Sequence, residues 1–128
     1  MHRLFLDANI LFSAAYQEGS PLVRLWKLQG AELSTSAYAM DEARRNLDSD
    51  VQRGRLERLA ASLRLVQEGS PVEIAEPLRA KDAPILAAAV GSGATHLLTL
   101  DRRDFGRFFG QRVASVLILH PRDYSPKI

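Results

Sequence analysis

The chain has 128 residues, 46% of them hydrophobic and 25% charged. That balance suits one folded domain, residues 1–128, and excludes an intrinsically disordered chain. It holds no cysteine, which excludes disulfides and thiolate metal sites, and its formal net charge is only +2.

A pI near 9.3 gives a weak pointer to an anionic partner. No apolar run approaches the ~20 residues of a membrane span, so no membrane partner is expected. His2 and Arg3 lead into a short strand and an acid, which is not a signal peptide. A cytoplasmic location is the expectation.

Leu4, Phe5 and Leu6 form a continuous apolar run, as in a strand buried on both faces. Ala8 to Tyr16 reads as a helix, with Ile10, Leu11 and Ala14 at helical spacing. Ser20 and Pro21 then open a second helix by capping and a fixed φ. It carries Leu22, Leu25, Trp26 and Leu28 and stops at Gly30. Glu32 to Thr35 is a second strand, and Ser36 caps a helix running to about Leu47. Asp48 or Ser49 opens a further helix, expected from Asp50 to Gln67. Val72 to Ile74 is a third strand candidate, and the segment EIAEPLRAK before Asp82 is short and broken by Pro77. Asp82 precedes the apolar helix APILAAAVGSG. His96 to Thr99 is a fourth strand, Asp104 to Gly110 a helical turn or two, and Val113 to Leu119 a final strand closed by Pro121. Strands alternating with helices indicate an α/β sandwich with a mainly parallel sheet.

In open parallel sheets, ligands bind beyond the carboxyl ends of the strands. Asp7 and Asp101 lie at those ends of the first and fourth strands. Asp82 opens a helix on the same edge, and Glu42 sits inside the helix after the second strand. Two carboxylates ~4 Å apart repel by about 4 kcal/mol at an effective dielectric of 20. Four converging acids therefore require retained protons or divalent cations. An oxygen-only donor set suits Mg²⁺ or Mn²⁺ rather than Zn²⁺, and such ions activate water for phosphodiester cleavage. Asn9 and Thr99 stand two residues from Asp7 and Asp101, where they can orient a carboxylate.

Each acid also has a plainer reading. Asp82 before Ala83 and Pro84 is a good helix N-cap, and the two roles can coexist. Asp101 can cap the turn containing Asp104. Glu42 can be a solvated helix residue paired with Arg45 or Asn46. The arginines of the middle helices, Arg44, Arg45, Arg53, Arg55, Arg58 and Arg64, read as solvated faces. Arg102 and Arg103 adjoin a proposed ligand and are the better candidates for nucleic-acid contact. Trp26, Tyr16, Tyr38 and Phe105 can serve stacking, core or interface.

LDANILFSA, a DEARRNL helix, KDAPILAAAV and HLLTLDRRDF, in this order, resemble the PIN-domain family from Arg3 to about Tyr124. The resemblance implies a three-layer α/β/α fold around a parallel sheet of four or five strands. It implies a Mg²⁺- or Mn²⁺-dependent ribonuclease acting on RNA, with Asp7, Glu42, Asp82 and Asp101 as its acids. The EARRNL spacing favours Glu42 over Asp41. Asp104 matches a variable extra or outer-sphere position, and Asn9 and Thr99 match polar positions beside the acids. A homodimer is implied, as is a small antitoxin partner for members of the toxin type. Two other classes stay open: a catalytically silent RNA-binding module, and a phosphatase or phosphotransfer domain. The phosphatase would want an aspartate where Asn9 stands.

Overall fold

A computed structural model describes residues 1–74 and 78–126. Its six strands form one sheet in the order β3-β2-β1-β4-β6-β5. They are β1 His2–Leu6, β2 Ala31–Ser36, β3 Arg64–Val66, β4 His96–Leu98, β5 Arg112–Val113 and β6 Val116–Leu119. All neighbouring pairs are parallel except β5 with β6. The helices are α1 Ala8–Tyr16, α2 Ala37–Asn46, α3 Asp50–Ala60 and α4 Ala83–Gly91. No helix among the described residues is long and apolar enough to cross a membrane.

β1 is central. Leu4, Phe5 and Leu6 are fully buried, as a strand covered on both faces requires. From β1 the chain steps outward through α1 to β2. After β3 it returns through α4 to β4, on the other side of β1. Right-handed crossovers in opposite directions put α1 and α4 on opposite faces. The direction reverses between β1 and β4, so their carboxyl ends open on a crevice, the usual ligand position in such sheets.

Local chemistry fixes most element boundaries as the sequence suggests. Ser36 Oγ accepts the Ala39 N–H (3.2 Å) to start α2. Ser49 and Gln52 form a reciprocal capping box at α3. Pro21–Lys27 is helical, but of the tighter 3₁₀ type, and ends with Trp26 Nε1 donating to Leu59 O (2.9 Å).

Three segments differ from the sequence reading. The helix from Asp50 ends at Ala60, not at Gln67, and Arg64–Val66 supplies the third strand. Leu56, Leu59 and Leu63 keep a helical period past the true end. The edge strand exposes Arg64 and Leu65, so its pairing leaves no burial pattern to read. Val72 to Ile74 is not a strand; Val72 and Ile74 instead line a cleft against Ala83 and Leu86 of α4. Pro77, read as a break ahead of Asp82, lies outside the described residues. The last strand is really the β5–β6 hairpin, closed by Ala114 (φ 48°) and Ser115 (φ 74°). These two left-handed residues carry the turn without the glycine or asparagine that would have marked it. With the two short edge strands, the sheet reaches six strands rather than four or five.

Gly69 shows why the chain passes so close over α4. A Cβ there would sit 1.9 Å from the Ala87 carbonyl oxygen, so only glycine fits.

Candidate metal centre

Asp7 leaves β1 at the crevice with 3% of its surface exposed. Its backbone N–H donates to Leu98 O (3.1 Å), tying it to the end of β4. Oδ1 accepts the Ala8 N–H (2.6 Å), which caps α1. Oδ2 accepts from Thr99 Oγ1 (2.8 Å) and Asn9 Nδ2 (3.3 Å). The pKa is pushed up to about 6. Burial is the main cause and the Thr99 and Ala8 donors oppose it, while the negative charges of Glu42 and Asp101 push the same way as burial.

Asn9 and Thr99 also connect this acid to the loop after β4. Asn9 Oδ1 accepts the Leu100 N–H (3.0 Å), and Thr99 Oγ1 accepts the Asp101 N–H (3.1 Å). Asp101 is half-buried, and its Oδ1 accepts the N–H groups of Arg103 and Asp104, both at 3.0 Å. The capping reading of Asp101 therefore holds for one of its oxygens.

Asp82 is 4% exposed. It occupies the N-cap position of α4 but makes no side-chain capping hydrogen bond, which corrects the capping reading for this residue. Instead Oδ1 faces the Lys81 ammonium at 3.3 Å, and Oδ2 is buried with no hydrogen-bond partner among the described residues. Asp82, Asp101 and Asp104 each offer one oxygen, and these lie within 4.8 Å of one another. Burial, followed by the contact with Asp104, raises the Asp82 pKa to about 6.

Glu42 is half-buried on α2 and makes no ion pair with Arg45 or hydrogen bond with Asn46 among the described residues. Its charge bears on Asp7 and, with that of Asp82, on Tyr38. Asp41, its neighbour, is exposed and pairs with Arg44 (2.9 Å), so it points elsewhere. The structure thus draws Asp82, Asp101 and Asp104 into one tight group. Asp7 and Glu42 stand alongside it, within reach of its field.

Three residues of this site were not legible as such in the sequence, the first being Arg79, whose Nε lies 3.2 Å from Asp104 Oδ1. Lys81 Nζ lies 3.3 Å from Asp82, 3.8 Å from Asp104 and 4.0 Å from Asp101. Tyr38 donates its hydroxyl to the Lys81 carbonyl (2.8 Å) and so joins α2 to the loop before α4. The available signal was position, since Lys81 directly precedes Asp82. Of the basic residues read as solvated faces, Arg53 and Arg55 are held by backbone carbonyls and Arg44 by Glu57. Arg102 and Arg103 are exposed beside Asp101. Phe105 is fully buried and belongs to the core.

The donor set suits a hard divalent ion. It is all carboxylate oxygen, and it contains a buried oxygen on Asp82 that no described donor serves. The profile of the family described as PIN domain matches residues 3–103. The chain belongs to the PIN domain family.

The match runs from Arg3 in β1 to Arg103 and so includes every acid of the centre except Asp104. Solved structures share the fold. VapBC2 from Rickettsia felis, solved with a DNA fragment from its promoter, superposes with a TM-score of 0.68 at 13% identity, covering 92% of this chain and 98% of that one. VapBC-1 from nontypeable Haemophilus influenzae gives 0.61 at 16% identity, covering 92% and 97%. FitAcB from Neisseria gonorrhoeae gives 0.56 at 21% identity, covering 94% and 99%. Comparison with the curated proteins finds no match.

Proposed function

We propose that this PIN domain is a Mg²⁺- or Mn²⁺-dependent endoribonuclease acting on single-stranded RNA, of the toxin type held by an antitoxin. The observation that carries this reading is the acidic group of Asp82, Asp101 and Asp104 at the crevice, with its unserved Asp82 oxygen. The family membership supports it, and the likeness in fold to VapBC and FitAcB assemblies supports the antitoxin. A homodimer is the assembly the family resemblance implies.

In this reading Asp82, Asp101 and Asp104 hold the metal, with Asp7 and Glu42 adding charge directly or through water. A divalent ion held by these carboxylates would supply charge neutralisation at the scissile phosphate and acidify a water. Water adds to phosphorus in line and the bond to the 3′-oxygen breaks, leaving a 5′-phosphate and a 3′-hydroxyl. Thr99, Asn9 and the Ala8 N–H fix the Asp7 carboxylate in one orientation. The Asp101 oxygen that binds two backbone N–H groups is likewise immobile. Such preorganisation removes reorganisation from the barrier.

Arg102 and Arg103 would meet phosphates beside the acids. Changing both to alanine should weaken RNA binding and flatten its salt dependence. A salt slope equal to wild type counts against them. The central test is cleavage of varied RNAs with and without Mn²⁺, with Asp7→Asn as control. Wild-type cleavage that needs Mn²⁺ and vanishes in the variant supports the reading. A variant that cuts as fast as wild type sinks the assignment.

Lys81 favours a second reading, a catalytically silent RNA-binding module, because its ammonium already offsets part of the acidic charge. Mn²⁺ titration separates the two. Saturable binding that weakens in Asp82→Asn supports the nuclease, and no saturable binding supports the module.

A further inference from the structure

The carboxyl end of β6 carries a second cluster, one that the acidic centre does not use. β4 and β6 run in parallel with Leu98 opposite Leu119, and the Thr99 N–H donates to Leu119 O (3.1 Å). His120 therefore emerges beside Thr99, on the edge that bears Asp101. Its Nδ1 accepts the Arg122 backbone N–H (3.2 Å). The neutral ring must then carry its proton on Nε2, which becomes a donor. The ring stands edge-on to Phe109, with centroids 6.1 Å apart and planes at 89°.

Three arginines reach this edge: Arg122, two residues beyond His120, Arg24 from the 3₁₀ helix Pro21–Lys27, and Arg102 from the loop after β4. Arg24 Nη2 donates to the Pro121 carbonyl (3.2 Å), which places Arg24 against the residue after His120. Arg122 and Arg102 are close enough for their charges, after burial, to hold the imidazole pKa below its ordinary range. The acid in reach is Asp123, whose pair with Arg122 is long (3.8 Å) with both side chains more than half exposed. A pair of that kind contributes little. This edge therefore carries three exposed arginines and a half-buried neutral imidazole with one N–H donor, which is the recognition chemistry of a phosphate.

We propose that Arg24, Arg102, Arg122 and the Nε2–H of His120 form a phosphate subsite for the RNA strand, holding a phosphodiester beside the one presented to the acids. The identity of the strand rests on the nuclease reading; the subsite rests on its own geometry.

The test is kept apart from cleavage. A fluorescent, uncleavable 2′-O-methyl oligoribonucleotide is titrated in EDTA, and its affinity is followed by anisotropy across a range of salt. The R24A/R122A variant should bind at least about five-fold more weakly, with a salt slope shallower by about 0.7 for each lost phosphate contact. The charge-matched control R58A/R112A should behave as wild type. In wild type, the imidazole NMR signals of His120 should move on adding the oligonucleotide, and its pKa should rise as the anion arrives. Equal loss in the two double variants overturns the subsite. So does an unmoved His120, or tighter binding of duplex DNA than of the single strand. Normal binding without any RNA cleavage would leave the subsite standing and remove the nuclease reading.

Discussion

Asp7 carries opposite demands in one side chain. Burial raises its pKa to about 6, against an ordinary 3.8. Folding then favours the protonated acid, so this stabilisation is complete below about pH 4 and is lost as pH rises through 6. At pH 7 the charged form costs on the order of 3 kcal/mol. Asp7→Asn should therefore raise unfolding stability at pH 7 by about 1–3 kcal/mol, less what its altered hydrogen bonds cost. The gain should disappear near pH 4, as urea denaturation at the two pH values will show. Thr99 works against the burial of Asp7, since its hydroxyl is the strongest influence lowering that pKa. Thr99→Val should push the Asp7 pKa above 6 and destabilise the fold by about 1–3 kcal/mol, because the Asp101 N–H loses its acceptor too. Carboxyl NMR titration reads the first effect and denaturation the second.

Among the elements, the termini follow from local sequence while the strand pairings do not. Ser36 caps α2 as read, and of the two residues read as opening α3, Asp48 and Ser49, it is Ser49 that caps it. β3 and the β5–β6 hairpin are not visible, because a three-residue edge strand and a two-residue strand bury too little to leave a period. The hairpin turn gives the element-scale prediction. Ala114 and Ser115 sit at φ 48° and 74°, a region that costs an L-residue roughly 1 kcal/mol. The substitution A114N/S115G should stabilise the protein by about 1 kcal/mol, read as a higher thermal midpoint. A fall in the midpoint would mean that side chains at these positions matter more than their backbone strain.

For the whole molecule, the reversal of crossover direction between β1 and β4 brings acids from distant segments to one edge. Repulsion among them is a cost of the fold, and a bound cation would offset it. At Mn²⁺ concentrations about 100 times its Kd, linkage should add about 2.7 kcal/mol of stability. Calorimetry should show the thermal midpoint rising with Mn²⁺, returning with EDTA, and moving much less in Asp82→Asn. An unchanged wild-type midpoint would argue against a metal centre built on these carboxylates.

The sequence by itself determined the α/β class, the central strand ending in Asp7, the positions of the four α-helices, the serine caps of α2 and α3 and the family pattern of acids. It could do so because burial and capping are written in residue type and short-range spacing. Tertiary structure decided which acids meet. Asp104, reached only as an outer residue in the sequence, joins Asp82 and Asp101 directly, while Asp7 is held beside them by Thr99 and Asn9. It also placed Lys81 near Asp101 and Asp104 as well as Asp82, and brought Arg24 onto the Pro121 carbonyl beside His120. Those meetings depend on strand order and crossover direction, which no local spacing encodes.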